Sequence, residues 1–152
     1  MNYSNKNMKS NFYLLTFLLI IFFTINGYAA ERKKYNFNSE WRLQVGDFPQ
    51  AKKPDFKDSS WKQVTLPHAF NEDEAFRISI EQHTDTVVWY RKHFRIEELS
   101  GKKVFVEFEG VRQGGEFFLN GQYLGLHENG VMAVGFDLTP YMKEGDNVLA
   151  VR

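Results

Sequence analysis

Beyond Glu31 the apolar residues do not recur at the i, i+3, i+4, i+7 spacing of an amphipathic helix for three turns. They come in short extended runs divided by Gly, Pro, Asn and Asp. Trp41-Arg-Leu-Gln-Val45 is the first predicted strand and ends at Gly46-Asp47. Lys52 to Ser60 is polar, contains Pro54 and reads as a loop, and Trp61 to Leu66 is a second strand stopped by Pro67. Phe70 to Asp85 is a polar connection too long for a hairpin, which makes it a candidate functional loop. Val87 to Ile96 is the longest strand. In Val104-Phe-Val-Glu-Phe-Glu109, Val104, Val106 and Phe108 share one face and Glu107 and Glu109 the other, the signature of a half-buried antiparallel strand. Glu116 to Leu119 and Gln122 to Gly125 flank Asn120-Gly121, a hairpin dipeptide whose two residues both take positive φ. Val131 to Leu138 is another strand, Thr139 to Lys143 allows one helical turn, and Asn147 to Arg152 is the last strand. Its Leu149 and Val151 are expected to face inward with Val104, Val106, Phe108, Phe117 and Leu119. About eight strands without a long helix predict an all-β antiparallel β-sandwich of jelly-roll type.

The first thirty residues follow another pattern. Lys6 and Lys9 are the only charges before Glu31, and Phe12 to Ile25 is an apolar run of 14 residues. A spanning helix needs about 20, so the run predicts a signal-peptide core and no stable membrane anchor. Gly27-Tyr28-Ala29 supplies small residues for cleavage after Ala29, giving a signal segment 1–29 and a domain 30–152. Export, with a periplasmic or extracellular destination, is the expectation.

Composition narrows the chemistry. Nineteen Lys plus Arg balance 19 Asp plus Glu, and removal of the leader leaves 17 basic against 19 acidic residues. Such a chain lacks the basic excess of a nucleic-acid binder. The absence of cysteine excludes a disulfide scaffold, a thiolate metal site and a cysteine nucleophile. His68, His83, His93 and His127 form no His-Glu-x-x-His pattern and no short metal-ligand spacing, so structural or surface roles are expected and no metal or other cofactor. Glu72-Asp-Glu74 lacks the alternate-residue spacing of a calcium loop and reads as a solvated acidic stretch. Gly110-Val-Arg-Gln-Gly-Gly115 lies between strands and reads as a turn, with no helix N-terminus to receive a phosphate. No serine stands in a Gly-x-Ser-x-Gly elbow, and no β/α alternation frames a carboxylate pair of the kind that cleaves glycosidic bonds. Aromatic rings suit sugars better: Trp89, Tyr90 and Tyr123 are ring candidates, while Trp41 and Trp61 at strand starts are expected in the core.

Three ordered segments carry a resemblance. They are Phe56-Lys-Asp-Ser-Ser-Trp61-Lys-Gln-Val-Thr-Leu-Pro67-His68, then Trp89-Tyr-Arg-Lys-His-Phe94, then a set running from Phe108-Glu-Gly-Val111 through Phe118-Leu-Asn-Gly-Gln-Tyr-Leu-Gly125 and Phe136-Asp-Leu-Thr-Pro-Tyr141 to Asn147-Val-Leu-Ala-Val151. Their order and spacing resemble the amino-terminal sugar-binding domain of glycoside hydrolase family 2, the family of β-galactosidases, β-glucuronidases and β-mannosidases. The resemblance implies a galactose-binding-domain-like jelly roll packed on a catalytic (β/α)8 barrel in the same chain. The two catalytic glutamates of the family lie in that barrel and have no counterpart among these residues, so no catalytic residue is assigned here.

The resemblance also implies a carbohydrate partner and two sugar contacts. The family's Asp or Asn after Leu-Pro-His is replaced here by Ala69, leaving Asn71 or Asp73 a little further on as substitutes. The second contact, seven residues before Phe136, is Asn129, flanked by His127 and Glu128. Asn129-Gly130 is at the same time a turn dipeptide. The reading is the front part of an exported family-2 glycosidase, with the last jelly-roll strands and the barrel expected after Arg152. The alternative is a free-standing carbohydrate-binding module or lectin.

Overall fold

The alternation in Trp41–Val45 becomes β1, with Trp41 and Leu43 buried on one side and Arg42 and Gln44 turned to the other. In the computed structural model the described residues are 32–71 and 86–152. Residues 1–35 and 36–152 form two units. Of the first only 32–35 are described, and they have no regular secondary structure. The leader-like run, the acidic stretch Glu72-Asp-Glu74, His83 and most of the long polar connection lie outside the described residues.

The other strands are β2 (Lys62–Val64), β3 (Val88–Ile96), β4 (Phe105–Phe108), β5 (Gly115–Leu119), β6 (Gln122–His127), β7 (Val134–Asp137) and β8 (Gly145–Val151). Six of them form an antiparallel sheet in the order β2-β1-β3-β8-β5-β6, and β4 pairs with β7 in a second, two-stranded sheet. This is the expected all-β antiparallel sandwich of jelly-roll type. Asn120 and Gly121 take φ of 50° and 88°, as a two-residue hairpin requires. Asn120 also ties the hairpin to its neighbour: its Nδ2 donates to Asn147 Oδ1 at 2.8 Å, and its Oδ1 accepts from Val148 N at 3.0 Å.

The core lies between the two sheets. Trp41, Leu43, Phe117, Leu119, Leu149 and Val151 from the large sheet meet Val106 from β4, with Phe108 and Phe136 packed alongside. The Phe117 ring touches both of the latter, at 5.0 and 4.6 Å between centroids. Each fully buried large apolar side chain of this kind contributes about 1.5–3 kcal/mol. Val106 is buried while its neighbour Phe105 is 63% exposed, so the inward set read from the alternation packs as expected except at Val104, which is half-buried and stands outside the core cluster.

The opposite face of the large sheet is also covered, which the polar reading of Lys52 to Ser60 did not foresee. Residues 46–61, with a 3-10 turn at Pro49–Lys52, lie across it. Ala51 and Trp61 are buried there against Trp89, Phe118 and Ala150, with Phe48 and Phe56 alongside. Burial on both faces explains the unbroken run Val148 to Val151, all of it buried in β8.

This strap is clamped by charge. Arg91, fully buried on β3, donates from Nη1 to Phe56 O at 2.8 Å and from Nη2 to Lys53 O at 3.0 Å. Asp58, 3% exposed, stands 3.2 Å from Arg91 Nη1, accepts from His93 Nε2 at 2.7 Å, and pairs with Arg42. Burial by itself would raise the Asp58 pKa, but the His93 hydrogen bond, the Arg91 charge and the Arg42 hydrogen bond outweigh it and hold the carboxyl below its ordinary value.

Candidate functional site

The strand registers decide which loops meet. Val88, Val151, Gly115 and His127 lie at one end of the large sheet: Val45 pairs with Val88, Phe117 with Val151 and Gly115 with His127. Phe108 pairs with Val134 at the corresponding end of the small sheet. The β4–β5 turn (109–114) and the β6–β7 loop (128–133) therefore emerge together. Thr86 and Val87, which lead into β3 at Val88, lie at this end as well.

The two loops are in contact. A β-carbon built on Gly114 would lie 3.5 Å from His127 O, and one built on Gly130 would lie 3.2 Å from Arg112 Cγ. Gly130 thus lets the Arg112 stem lie against the turn, and its glycine is explained by close approach. His127 Nε2 donates to Met132 O at 3.2 Å, closing the base of the loop. At its tip Val131 and Met132 are 89% and 59% exposed.

Asn129 is exposed, and its Oδ1 accepts from Val131 N at 3.1 Å. The turn role read from Asn-Gly is therefore present in the structure. It occupies one lone pair of Oδ1, and the amide keeps its two Nδ2 donors. Asn71 is half-buried and ends the described stretch after His68, whose Nδ1 shares a 3.1 Å hydrogen bond with Tyr90 Oη. Phe70 beside it packs on the core. Asp73 lies outside the described residues.

The ring candidates separate. Trp89 is 1% exposed beneath the strap, its Nε1 donating to Asp47 Oδ1 at 3.3 Å, so it is a core residue and not a sugar platform. Tyr90 turns to the inner face beside His68. Tyr123 is 52% exposed on β6 and rests on Phe118 with 5.5 Å between centroids. Trp41 and Trp61 are buried, as expected. Beside the loop end, Arg152 bridges Asp47 and Glu116 at 2.8 and 3.0 Å. The Arg152 hydrogen bond lowers the Asp47 pKa despite desolvation, so this pair is a closed unit. Among the described residues no group of three or more His, Asp or Glu side chains is placed to hold a metal ion. Arg112, read from the sequence only as part of a glycine-rich turn, is the charged side chain that the loop packing adds. Its signal was the single cation between Gly110 and Gly114.

Residues 39–152 match the family described as glycosyl hydrolases family 2, sugar binding domain. The chain is 39% identical over 133 residues to a β-glucuronidase of Formosa agariphila, covering 82% of this chain and 14% of that protein. It is 39% identical over 134 residues to the β-galactosidase BoGH2A of Bacteroides ovatus, covering 82% of this chain and 16% of that protein. A solved β-glucuronidase of glycoside hydrolase family 2 superposes with a TM-score of 0.73 at 38% identity, over 82% of this chain and 14% of the other. The chain thus spans about one-seventh of the length of these relatives.

Proposed function

The chain belongs to the sugar-binding domains of glycosyl hydrolases family 2, and on that premise we propose that it is the amino-terminal, non-catalytic part of an exported β-glycosidase. The observation that carries this reading is the family match itself, which runs the whole length of the sandwich from Ser39 to Arg152. The sandwich offers a covered core, a strapped outer face and one end where loops converge. In this reading that end walls the sugar pocket, and Asn129, Asn71 and Asp73 contribute polar contacts to the bound sugar.

The bond-breaking carboxylates belong to a (β/α)8 barrel in the same polypeptide. There one glutamate protonates the leaving oxygen and a second attacks the anomeric carbon, giving hydrolysis with retention. What the present residues do is orient the sugar. Asn129 Nδ2 donates to a hydroxyl while its Oδ1 is held by Val131 N, so the amide is positioned before the sugar arrives. Cleavage after Ala29 releases the protein outside the cytoplasm, and amino-terminal sequencing of exported protein should begin at Ala30.

The test is expression of the complete reading frame beside the 152-residue chain, both assayed with aryl β-glucuronides and β-galactosides. The complete product should turn over one of them, and the 152-residue chain should turn over neither. A complete product that binds glycans without cleaving any would favour a binding module. Turnover by the 152-residue chain, abolished by changing one of its own acids, would place the chemistry here and contradict the proposal.

A further inference from the structure

From Asn36 onward, every described arginine but one is held by a carboxylate. Arg42 and Arg91 pair with Asp58, Arg95 with Glu97 and Asp146, and Arg152 with Asp47 and Glu116. Arg112 is exposed, and its guanidinium has no ion pair or hydrogen bond among the described residues. It is nonetheless placed by packing. A β-carbon on Gly130 would lie 3.2 Å from Arg112 Cγ and 3.8 Å from its Cα and Cβ, so the stem runs along the Asn129-Gly130 turn. The acids of the two loops are Glu109 and Glu128, and neither pairs with it. The Glu128 stem instead lies by Gly114, where a β-carbon would meet its Cγ at 3.8 Å.

We propose that Arg112 reads an anionic substituent on the sugar, so that the saccharide taken at this loop end is acidic. This rests on the sugar-binding reading above and adds the substrate class to it. A guanidinium is a planar fork matching a carboxylate or a sulfate ester with two parallel hydrogen bonds, and it is charged at every physiological pH. Its stem packs at Gly130, the residue after Asn129, whose amide suits a neutral hydroxyl. The pair distinguishes an acidic pyranose from a neutral one by charge and recognises both by hydrogen bonding. A uronic acid and a sulfated sugar share this chemistry, and the test separates them.

The experiment is isothermal titration of the product of the complete reading frame with glucuronic acid, galactose 6-sulfate and galactose, for wild type, Arg112→Gln and Arg112→Lys. At least one acidic sugar should bind roughly ten- to hundredfold more tightly than galactose, the value of a hydrogen bond to a charged group. Which one binds identifies carboxylate or sulfate. Arg112→Gln should bring that ratio close to one, and Arg112→Lys should leave it intermediate, because the charge remains and the fork is lost. Melting temperatures should stay within a degree or two of wild type. Equal binding of acidic and neutral sugars, or a preference that survives Arg112→Gln, would overturn the charge-reading role alone. Equal weakening of every sugar with a lowered melting temperature would mark Arg112 as structural and overturn it too. Failure of all three sugars to bind would overturn the sugar-binding reading and this one with it.

Discussion

Arg91 and Arg112 hold the same guanidinium in opposite circumstances. Arg91 is fully buried under the strap, its two Nη groups given to Phe56 O and Lys53 O, and Asp58 supplies its countercharge. Arg112 is exposed at the loop end, touches the protein through its stem, and keeps its head group unpaired among the described residues. Charge enclosed by the fold has been used up in holding one layer on another. Charge that packing positions but does not pair remains available to a ligand. On the proposed reading the strap and the loop end should answer differently to mutation: the first through stability, the second through sugar binding.

The largest effect is expected in the strap. Asp58→Asn leaves Arg91 buried without its countercharge, and such a loss costs about 3–5 kcal/mol, read as a lower urea midpoint at unchanged slope. Trp89→Ala removes a ring beneath the strap and should cost a similar ~3–5 kcal/mol, whereas Tyr123→Ala on the neighbouring edge should cost about 1 kcal/mol through its contact with Phe118. Equal losses for the two rings would erase the distinction drawn between them.

Acid should act on the same clamp. The folded-state pKa of Asp58 lies below its ordinary value, so the stability it contributes is fully present above the unfolded-state pKa of about 3.9 and is lost as pH falls through the folded-state value. Thermal melts of wild type should therefore fall more steeply below pH 4 than those of Asp58→Asn. Parallel curves would show that the clamp does not titrate as described. At the loop end, Asn129→Ala in the complete protein should weaken sugar use by about 1–3 kcal/mol, the cost of an unmade pocket hydrogen bond, with little change in melting temperature.

These expectations also show what could be read along the chain. The inner face was legible because Val106 and Phe108 alternate with Glu107 and Glu109, and Asn120-Gly121 announced its hairpin by the positive φ it requires. The strap was not legible. Phe48, Ala51, Phe56 and Trp61 are spread through polar residues at no regular period, and only the folded sheet shows that they converge. For the same reason Trp89 resembled a surface ring: with both faces of β3 covered near it, alternation no longer separates inside from outside. Arg91 and Lys92 are buried charges, 0% and 6% exposed, and nothing in their neighbours' identity marks the carbonyls of Lys53, Phe56 and Ser39 as their partners. Asn129 was legible as a turn residue. The meeting of its loop with Arg112 depends on β4–β5 and β6–β7 opening at one end, which is a property of topology.

On the proposed reading the strap serves the fold and the loop end serves the sugar. A paired measurement on the complete protein separates the two: melting temperature and sugar binding constant for wild type, Asp58→Asn and Asn129→Ala. Asp58→Asn should lower the melting temperature while the molecules that remain folded bind sugar as wild type does, and Asn129→Ala should weaken sugar binding with the melting temperature nearly unchanged. An Asn129→Ala protein that melts early and binds sugar normally would contradict that reading.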